Sequence, residues 1–197
     1  MSSVRWLKKS CLRYQGKNNI AFKDQNIILG IDPGTIHCGY GLIKTVCKEK
    51  TTAAKQGYKY LASGRISMSP QKDLKFRLKN LYDEVIKIIK EFKPDVMVVE
   101  NIFFAKSVRA ALCLGQARGV IILAAVSEKL PIYEYSALEV KKAVTGYGNA
   151  EKLQVQNMVL RILSLENKKI SLTEDSADAL ALAICHSNTI NFLNNTG

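Results

Sequence analysis

Two short apolar runs, each followed by a single carboxylate, constrain the fold of this chain more than any other feature. The first is Ile27–Ile31, followed by Asp32, and the second is Val96–Val99, followed by Glu100. Both runs are brief and rich in β-branched residues, which is typical of buried strands. In an α/β sheet, the carboxyl ends of parallel strands meet at the edge where ligands bind. The two acids are therefore predicted to lie side by side at that edge.

The turn after the first run offers a structural alternative for its acid. Pro33-Gly34 stops the strand, and Gly39–Ile43 begins a second apolar run, so the pair is predicted to form a hairpin. Taken alone, Asp32 is explained equally well by an Asx bond to Gly34 or Thr35. A carboxylate in an apolar core is costly unless a cation neutralises it. The other acids of the chain decide between these explanations.

Asp175 and Asp178 form a second acidic pair near the end of the chain. A helix is predicted to start at Ser171 or Thr173, with Glu174 in its first turn, and the spacing of three puts both aspartates on one helix face. The helix is rich in Ala and Leu, which predicts packing on the core, where an unpaired acid is expensive. Asp175 alone is also explained as a first-turn acid that offsets the helix dipole, and a purely structural pair stays open as an alternative.

The remaining chain alternates strands and helices, as expected for one α/β domain with a substantial core. This domain is predicted to span residues 26–190, after a basic extension of residues 1–25 and before a tail of residues 191–197. The extension is interpreted as disordered, with an arm on DNA or an organellar targeting peptide as alternatives. Further predicted elements are a strand over 58–68, a helix opened by Ser69-Pro70, a strand over 131–135, a helix capped by Ser136 that ends near Val144, and a helix capped by Asn149 that ends near Leu165. An Ala- and Gly-rich helix from Val108 to about Lys129 is nearly apolar all round, which predicts burial on more than one side, by the sheet and, in one interpretation, by a second subunit.

The charge of the chain points to a polyanionic partner. The 197 residues carry a formal charge of +12, with an isoelectric point of about 9.5 and a mean hydropathy of −0.03. Nucleic acid is the favoured partner, and an anionic membrane surface is the weaker alternative. No apolar run is expected to be long enough to cross a bilayer. The five cysteines form no C-x-x-C pair, which favours free thiols in a reducing cytosol over disulfides or zinc.

Four converging carboxylates would need cations between them, because they cannot all stay ionised at close range. The candidates are Asp32, Glu100, Asp175 and Asp178. An all-oxygen ligand set selects Mg²⁺ or Mn²⁺ over zinc. Two such ions form a phosphodiester clamp, in which one activates water and the other stabilises the leaving 3′-oxygen. A basic protein with an acidic cleft suits this chemistry, because its lysines hold the polyanion that the metal site cuts.

Basic and aromatic side chains in two connections are candidates for DNA contact. Lys141, Lys142 and Lys152 bracket a glycine turn, Gly146-Tyr147-Gly148, and their alternatives are phosphate contact or ordinary solubility. The connection after Glu100 carries two adjacent aromatics and a lysine, which are Phe103, Phe104 and Lys106.

Five ordered segments of the chain resemble the RuvC family of bacterial Holliday junction resolvases. They are GIDPGTIHCGYGLI, VMVVEN, LGQARGVIILAA, VKKAVTGYGNAEKLQVQ and DSADALALAICH, within residues 26–188. The resemblance implies a ribonuclease H-like fold, with a five-stranded mixed sheet flanked by helices. It also implies a homodimer that binds a four-way junction and nicks two strands of like polarity, leaving 5′-phosphate and 3′-hydroxyl ends.

The resemblance further implies roles for individual residues. The four acids fall on acidic positions of the family's metal site, with two Mg²⁺ expected per subunit and Mn²⁺ as a substitute. Lys141 and Lys152 match basic positions, and Phe103 falls where the family places an aromatic against junction bases. The helix around Leu114–Ile121 would form the dimer contact. A bacterial cytoplasmic location and the RuvA–RuvB branch-migration complex as a partner are expected in the same way.

Two departures and three rival interpretations accompany this resemblance. The stretch before Asn26 lies outside the family pattern, and the link between the second and third strands is longer than usual. The nearest rival is another nuclease on the same fold, since fold does not settle substrate. A sugar kinase of the actin-like superfamily also uses an Asp-Gly-Thr turn, but this chain is too short for two lobes. A junction binder without catalysis is the third class.

Overall fold

A five-stranded mixed sheet forms the centre of the molecule. The structure is a computed structural model that describes residues 26–46, 57–101, 107–166, 168 and 170–195. Its strands are β1 (Ile27–Asp32), β2 (His37–Val46), β3 (Gly57–Ser67), β4 (Val96–Asn101) and β5 (Ile132–Ser136). Its helices are α1 (Leu74–Phe92), α2 (Val108–Ser127), α3 (Ala137–Thr145), α4 (Lys152–Ile162) and α5 (Glu174–Asn195).

The strands lie in the order β3-β2-β1-β4-β5. β1 and β2 form the predicted antiparallel hairpin, and β3 pairs antiparallel with β2. β4 is parallel to β1 and β5 is parallel to β4, so the two strands that end in acids run side by side. The predicted α/β architecture and its five-stranded mixed sheet are thus confirmed.

Two apolar cores lie on opposite faces of the sheet. On one face, Ile28, Val96 and Val98 pack with residues of α3, α4 and α5. On the other, Leu29 and Met97 pack with residues of α1 and α2. The side chains of a strand point alternately to the two faces, so the buried strands are apolar on both sides and appear as continuous hydrophobic runs.

The helix starts follow their capping residues. Ser107 accepts a bond from the Ala110 amide at 3.2 Å, and Ser136 forms a capping box with Glu139. Thr173 Oγ1 accepts from the Ser176 amide, so the later of the two predicted starts of the last helix is correct. The prediction that Asn149 caps α4 is wrong, because Glu151 occupies that position, in a capping box with Gln154.

The other boundaries differ from expectation by small amounts. α1 begins at Leu74, after Asp73, rather than directly at Ser69-Pro70. α5 continues to Asn195 and therefore enters the range 191–197 that was expected to be a tail. The extension of residues 1–25 and most of the link between β2 and β3 lie outside the described residues. The division of the chain into extension, domain and tail stays a prediction.

Helix α2 corrects one expectation from the sequence. It is long and apolar enough to span a membrane by length and composition alone, although no run was expected to reach that length. Within this chain one face of α2 is covered, by way of Ala117, Ile121, Ala124 and Ala125, and burial of a further side by a second subunit stays a prediction. Arg118 pairs with Glu134 on β5, which fixes α2 against the sheet as a layer of the domain.

Candidate metal and nucleic-acid site

The strand register brings the first two acids together. Ile31 lies opposite Val99 in the parallel pairing of β1 and β4, so the next residues, Asp32 and Glu100, are neighbours at the carboxyl edge. Their carboxyl groups interact directly, which by itself raises the pKa of Asp32 and lowers that of Glu100. Among the bonds described, Asp32 makes no Asx bond to Gly34 or Thr35. The alternative of a simple turn cap is therefore not supported.

Two glycines let α5 approach this edge closely. A Cβ atom at Gly30 would overlap the carbonyl oxygen of Ala179, and one at Gly39 would overlap the carbonyl oxygen of Asp175. The first turns of α5 therefore lie directly on β1 and β2, with backbone against backbone. This contact places Asp175 and Asp178 beside Asp32. The four acids, which are distant in the sequence, come together as predicted.

Burial and mutual repulsion keep part of this acidic set protonated. Burial, with Glu100 and Asp178 next in effect, raises the pKa of Asp32 from 3.8 to about 8. Burial also raises the pKa of Asp178 to about 6, against the opposing effect of Lys152. The pKa of Glu100 is raised by burial as well, and the interaction with Asp32 offsets part of that shift. Burial and the neighbouring carboxyl groups thus favour the protonated forms of these acids, which is the effect a neutralising cation would oppose.

Two basic side chains border the acids. Lys152 Nζ lies 2.6 Å from Glu174 Oε1 and 3.9 Å from Asp178 Oδ2. The hydrogen bond to Glu174 raises the pKa of Lys152. On the other side, Arg65 Nη1 lies 3.6 Å from Asp175 Oδ2. Within the described ranges, neither Asp32 nor Glu100 forms an ion pair, so the two most central carboxyl groups have no cation of their own.

The chemistry of the donor set fits a hard divalent cation. Its oxygens all come from carboxyl groups, which suit Mg²⁺ or Mn²⁺ rather than zinc. Among the described residues, no three His, Cys, Asp or Glu side chains are already closed around a common metal position. The acids lie near one another at this edge, with Lys152 and Arg65 as their basic neighbours.

The candidate DNA contacts are only partly visible. Lys142 and Lys152 are exposed and Lys141 is half-buried, and Lys141 and Lys152 both act electrostatically on Glu100. Phe103, Phe104 and Lys106 lie outside the described residues. Arg65 was missed in the sequence, because its place beside Asp175 depends on how β3 pairs with β2. The sequence shows a basic residue in this strand, but it does not show the register in which β3 pairs with β2.

Comparison with known proteins identifies the family. A family model described as crossover junction endodeoxyribonuclease RuvC matches residues 28–186. A protein of that name from Mannheimia succiniciproducens is 48% identical over 164 residues, which cover 83% of this chain and 76% of the relative. Another from Aliivibrio fischeri is 49% identical, over 83% of this chain and 88% of the relative. The chain belongs to the RuvC family. The resemblance expected from the five segments is thus confirmed.

Solved structures agree with this assignment. RuvC from Thermus thermophilus in complex with Holliday junction substrate superposes with a TM-score of 0.74 at 31% identity, over 85% of this chain and 96% of that one. The yeast mitochondrial Holliday junction resolvase Ydc2 superposes with a TM-score of 0.58 at 13% identity, over 85% of this chain and 80% of that one, which shows the shared fold alone. The ribonuclease H-like fold expected for a RuvC family member is confirmed.

Proposed function

We propose that this protein is a structure-specific endonuclease that resolves Holliday junctions in recombination and DNA repair. It hydrolyses phosphodiester bonds symmetrically in two strands of like polarity and leaves 5′-phosphate and 3′-hydroxyl ends. The observation that carries the proposal is the convergence of Asp32, Glu100, Asp175 and Asp178 at one sheet edge, in a chain of a crossover junction endodeoxyribonuclease family.

The four acids are proposed to hold divalent cations, as catalytic and metal-binding residues. Two Mg²⁺ ions, with Mn²⁺ as a substitute, would supply Lewis-acid stabilisation of the attacking and leaving oxygens. The chain's own residues fix this arrangement: β1 and β4 hold Asp32 and Glu100 by backbone pairing, and α5 holds the two remaining acids against glycines. Positioning by such rigid elements is what precise catalytic geometry requires.

Lys141, Lys142 and Lys152 are proposed to contact the DNA backbone beside the acids. Lys152 has its ammonium group at the rim of the site, where a phosphate displaces its contact with the exposed Glu174. The charge of +12 supplies the general attraction for DNA. Phe103, Phe104 and Lys106 are proposed to contact junction bases and backbone, with Phe103 stacking on an opened base.

The protein is proposed to act as a homodimer through the exposed face of α2. Val108, Leu112, Leu123 and Val126 are more than half exposed on this face. Gly115 and Gly119 lie on the same face, with nothing within 4 Å of an added Cβ atom. An exposed helix face made of apolar and small residues is typical of an interface between chains. Sedimentation at micromolar concentration is expected to give the mass of two chains, and a single-chain mass would contradict the dimer.

The remaining proposals concern cellular context. A soluble cytoplasmic location in a bacterium and cooperation with the RuvA–RuvB branch-migration complex are proposed from family membership. Co-sedimentation with purified RuvA–RuvB on a four-way junction tests the partnership. Failure to form a joint complex would contradict it without affecting the nuclease assignment.

The decisive experiment is junction cleavage mapped at nucleotide resolution on all four strands. Synthetic four-way junctions, Y-forks and linear duplex are incubated with the protein, with and without Mg²⁺. Paired nicks in two strands of like polarity are expected on the four-way junction only, and only with Mg²⁺. Equal cutting of linear duplex would contradict the resolvase assignment and favour a general nuclease on the same fold.

The variant Asp32→Asn separates catalysis from binding. It is expected to bind the junction in Ca²⁺ as tightly as the wild-type protein, and to show no cleavage in Mg²⁺. Cleavage at the wild-type rate would overturn the metal-site assignment. Lack of cleavage by the wild-type protein, with normal junction binding, would instead support a binder without catalysis.

A further inference from the structure

Arg65 occupies a defined position in the row of residues that crosses the sheet at the acidic edge. Asp32 on β1 lies opposite Gly39 on β2, and Gly39 lies opposite Arg65 on β3. Directly opposed residues of paired strands point to the same face. Asp175 lies over Gly39 on that face, as the overlap with an added Cβ atom shows. Arg65 and Asp32 therefore flank Asp175 from its two sides.

The contact between Arg65 and Asp175 joins a site acid to a permanent cation. Nη1 lies 3.6 Å from Oδ2, and the side chains are 40% and 29% exposed. Arg remains charged at every pH relevant here. Asp175 differs in this respect from Asp32, whose neighbours are other carboxyl groups. Asp178 has Lys152 at 3.9 Å, but that ammonium lies closer to Glu174.

We propose that Arg65 is a positioning residue that competes with divalent cations for Asp175. Its guanidinium group holds the Asp175 carboxylate while the site is free of metal, and it must give way when a cation takes the same oxygen. Arg65 thereby sets the cation concentration at which the site fills. The inference rests on the proposed metal site and deepens it by assigning a competitor to one particular ligand.

Charge and exposure fix the size of the expected effect. A partly exposed ion pair contributes less than about 1 kcal/mol, which corresponds to at most about fivefold in affinity. Arg65→Gln is therefore expected to tighten Mn²⁺ binding about threefold. Arg65→Lys keeps the charge on a flexible stem and is expected to restore most of the wild-type affinity. Lys79→Gln is the control for net charge, because Lys79 pairs with Asp83 on α1, and it is expected to leave Mn²⁺ affinity unchanged.

The test is calorimetric titration of the full-length, DNA-free protein with Mn²⁺, with a double-mutant cycle through Asp175→Asn. If Arg65 acts through Asp175, Arg65→Gln tightens binding in the wild-type background and has no effect in the Asp175→Asn background. Equal tightening in both backgrounds, or tightening in Lys79→Gln as well, would overturn the proposal in favour of a general charge effect. Unchanged affinity in Arg65→Gln would also overturn it.

The wild-type titration separates this inference from the proposed function. If the wild-type protein binds no Mn²⁺, or if Asp32→Asn binds it as well as wild type, the metal site itself fails. If wild type binds Mn²⁺ and Asp32→Asn binds it more weakly, the metal site is supported, and the Arg65 variants then test separately whether Arg65 competes with the cation. Thermal unfolding of each variant in EDTA verifies that the chains compared are folded.

Discussion

Helices α2 and α5 are both long and apolar, but they differ in how much of their apolar surface is buried within the chain. In α5 the described residues from Ala179 to Cys185 have at most 2% exposure, and the helix lies on β1 and β2 with its backbone against two glycines. In α2 four residues are fully covered, whereas Leu112 and Val126 are 65% and 60% exposed. Hydropathy does not predict this difference, because the helix whose hydropathy is sufficient for a membrane span, α2, is the less covered of the two.

The difference indicates separate tasks. α5 is covered by its own chain and carries two acids to the sheet edge, so its apolar residues serve the position of the site. α2 keeps an apolar face that its own chain does not cover, so that face is available to a second copy. Substitutions in α5 should therefore alter catalysis or folding, and those on the outer face of α2 should alter assembly.

The largest effect is expected from Asp178→Asn on α5. Loss of a metal ligand removes about 4 kcal/mol of transition-state stabilisation, and junction cleavage should fall about 10³-fold. Glu174→Gln is the matched control, because Glu174 is on the same helix and also contacts Lys152, but it is exposed. Its cleavage rate should stay within about threefold of wild type. Equal losses in both variants would mean that the pairing with Lys152 matters, rather than metal ligation.

Gly30→Ala should give the next largest effect, on stability. The added methyl group meets the Ala179 carbonyl, and lifting α5 off β1 should cost about 3 kcal/mol in the free energy of unfolding. Gly115→Ala places the same methyl group in open space on α2, where higher helix propensity should stabilise the isolated chain by about 0.5–1 kcal/mol. Urea unfolding of dilute protein measures both changes. A stable Gly30→Ala protein would show that α5 does not rest on β1.

Leu123→Glu should disrupt assembly with little change in the stability of the chain. A charge on the outer face of α2 is costly only if that face is covered by a partner, and the dimer should dissociate at least about tenfold more readily. Phe76→Glu on α1 is the control, since Phe76 is 57% exposed and Leu123 is 56% exposed. Sedimentation should show monomers for the first variant alone. If both variants remain dimeric, the interface between the two chains does not lie on this face of α2.

A pH dependence of stability is also expected for the metal-free protein. Between the unfolded pKa of 3.8 and the folded pKa of about 8, Asp32 is protonated in the folded chain and ionised in the unfolded chain. Stability should therefore fall as pH rises through this window and level off above it. Asp178 adds to the fall up to about pH 6. Melting temperatures in EDTA should show the slope in wild type and a flatter profile in Asp32→Asn. Identical profiles would contradict the raised pKa.

The sequence was sufficient to predict the edge of the sheet and the acids on it. An apolar run followed by an acid is a local pattern, and parallel pairing converts two such patterns into neighbours. Arg65 escaped prediction because its position depends on the pairing of β3 with β2, which includes a register shift between Leu42 and Ile43. The cap of α4 was assigned to Asn149, although Glu151 and Gln154 carry the spacing of a capping box.

The coverage of α2 could be predicted from the sequence only in part. Its composition is compatible with burial on all sides, and only the packing shows that one chain covers a single face. The sequence therefore indicated that α2 has apolar partners, but not how many of them belong to the same chain.

The glycines under α5 have a consequence for which amino-acid substitutions this protein tolerates. Because main chain rests on main chain at Gly30 and Gly39, backbone atoms set the distance between α5 and the two strands at these points. Aliphatic residues elsewhere in the two cores can therefore change, at some cost in stability, with little effect on the placement of the proposed metal ligands. Gly30 and Gly39 are the positions at which a substitution would move α5, and with it the acids.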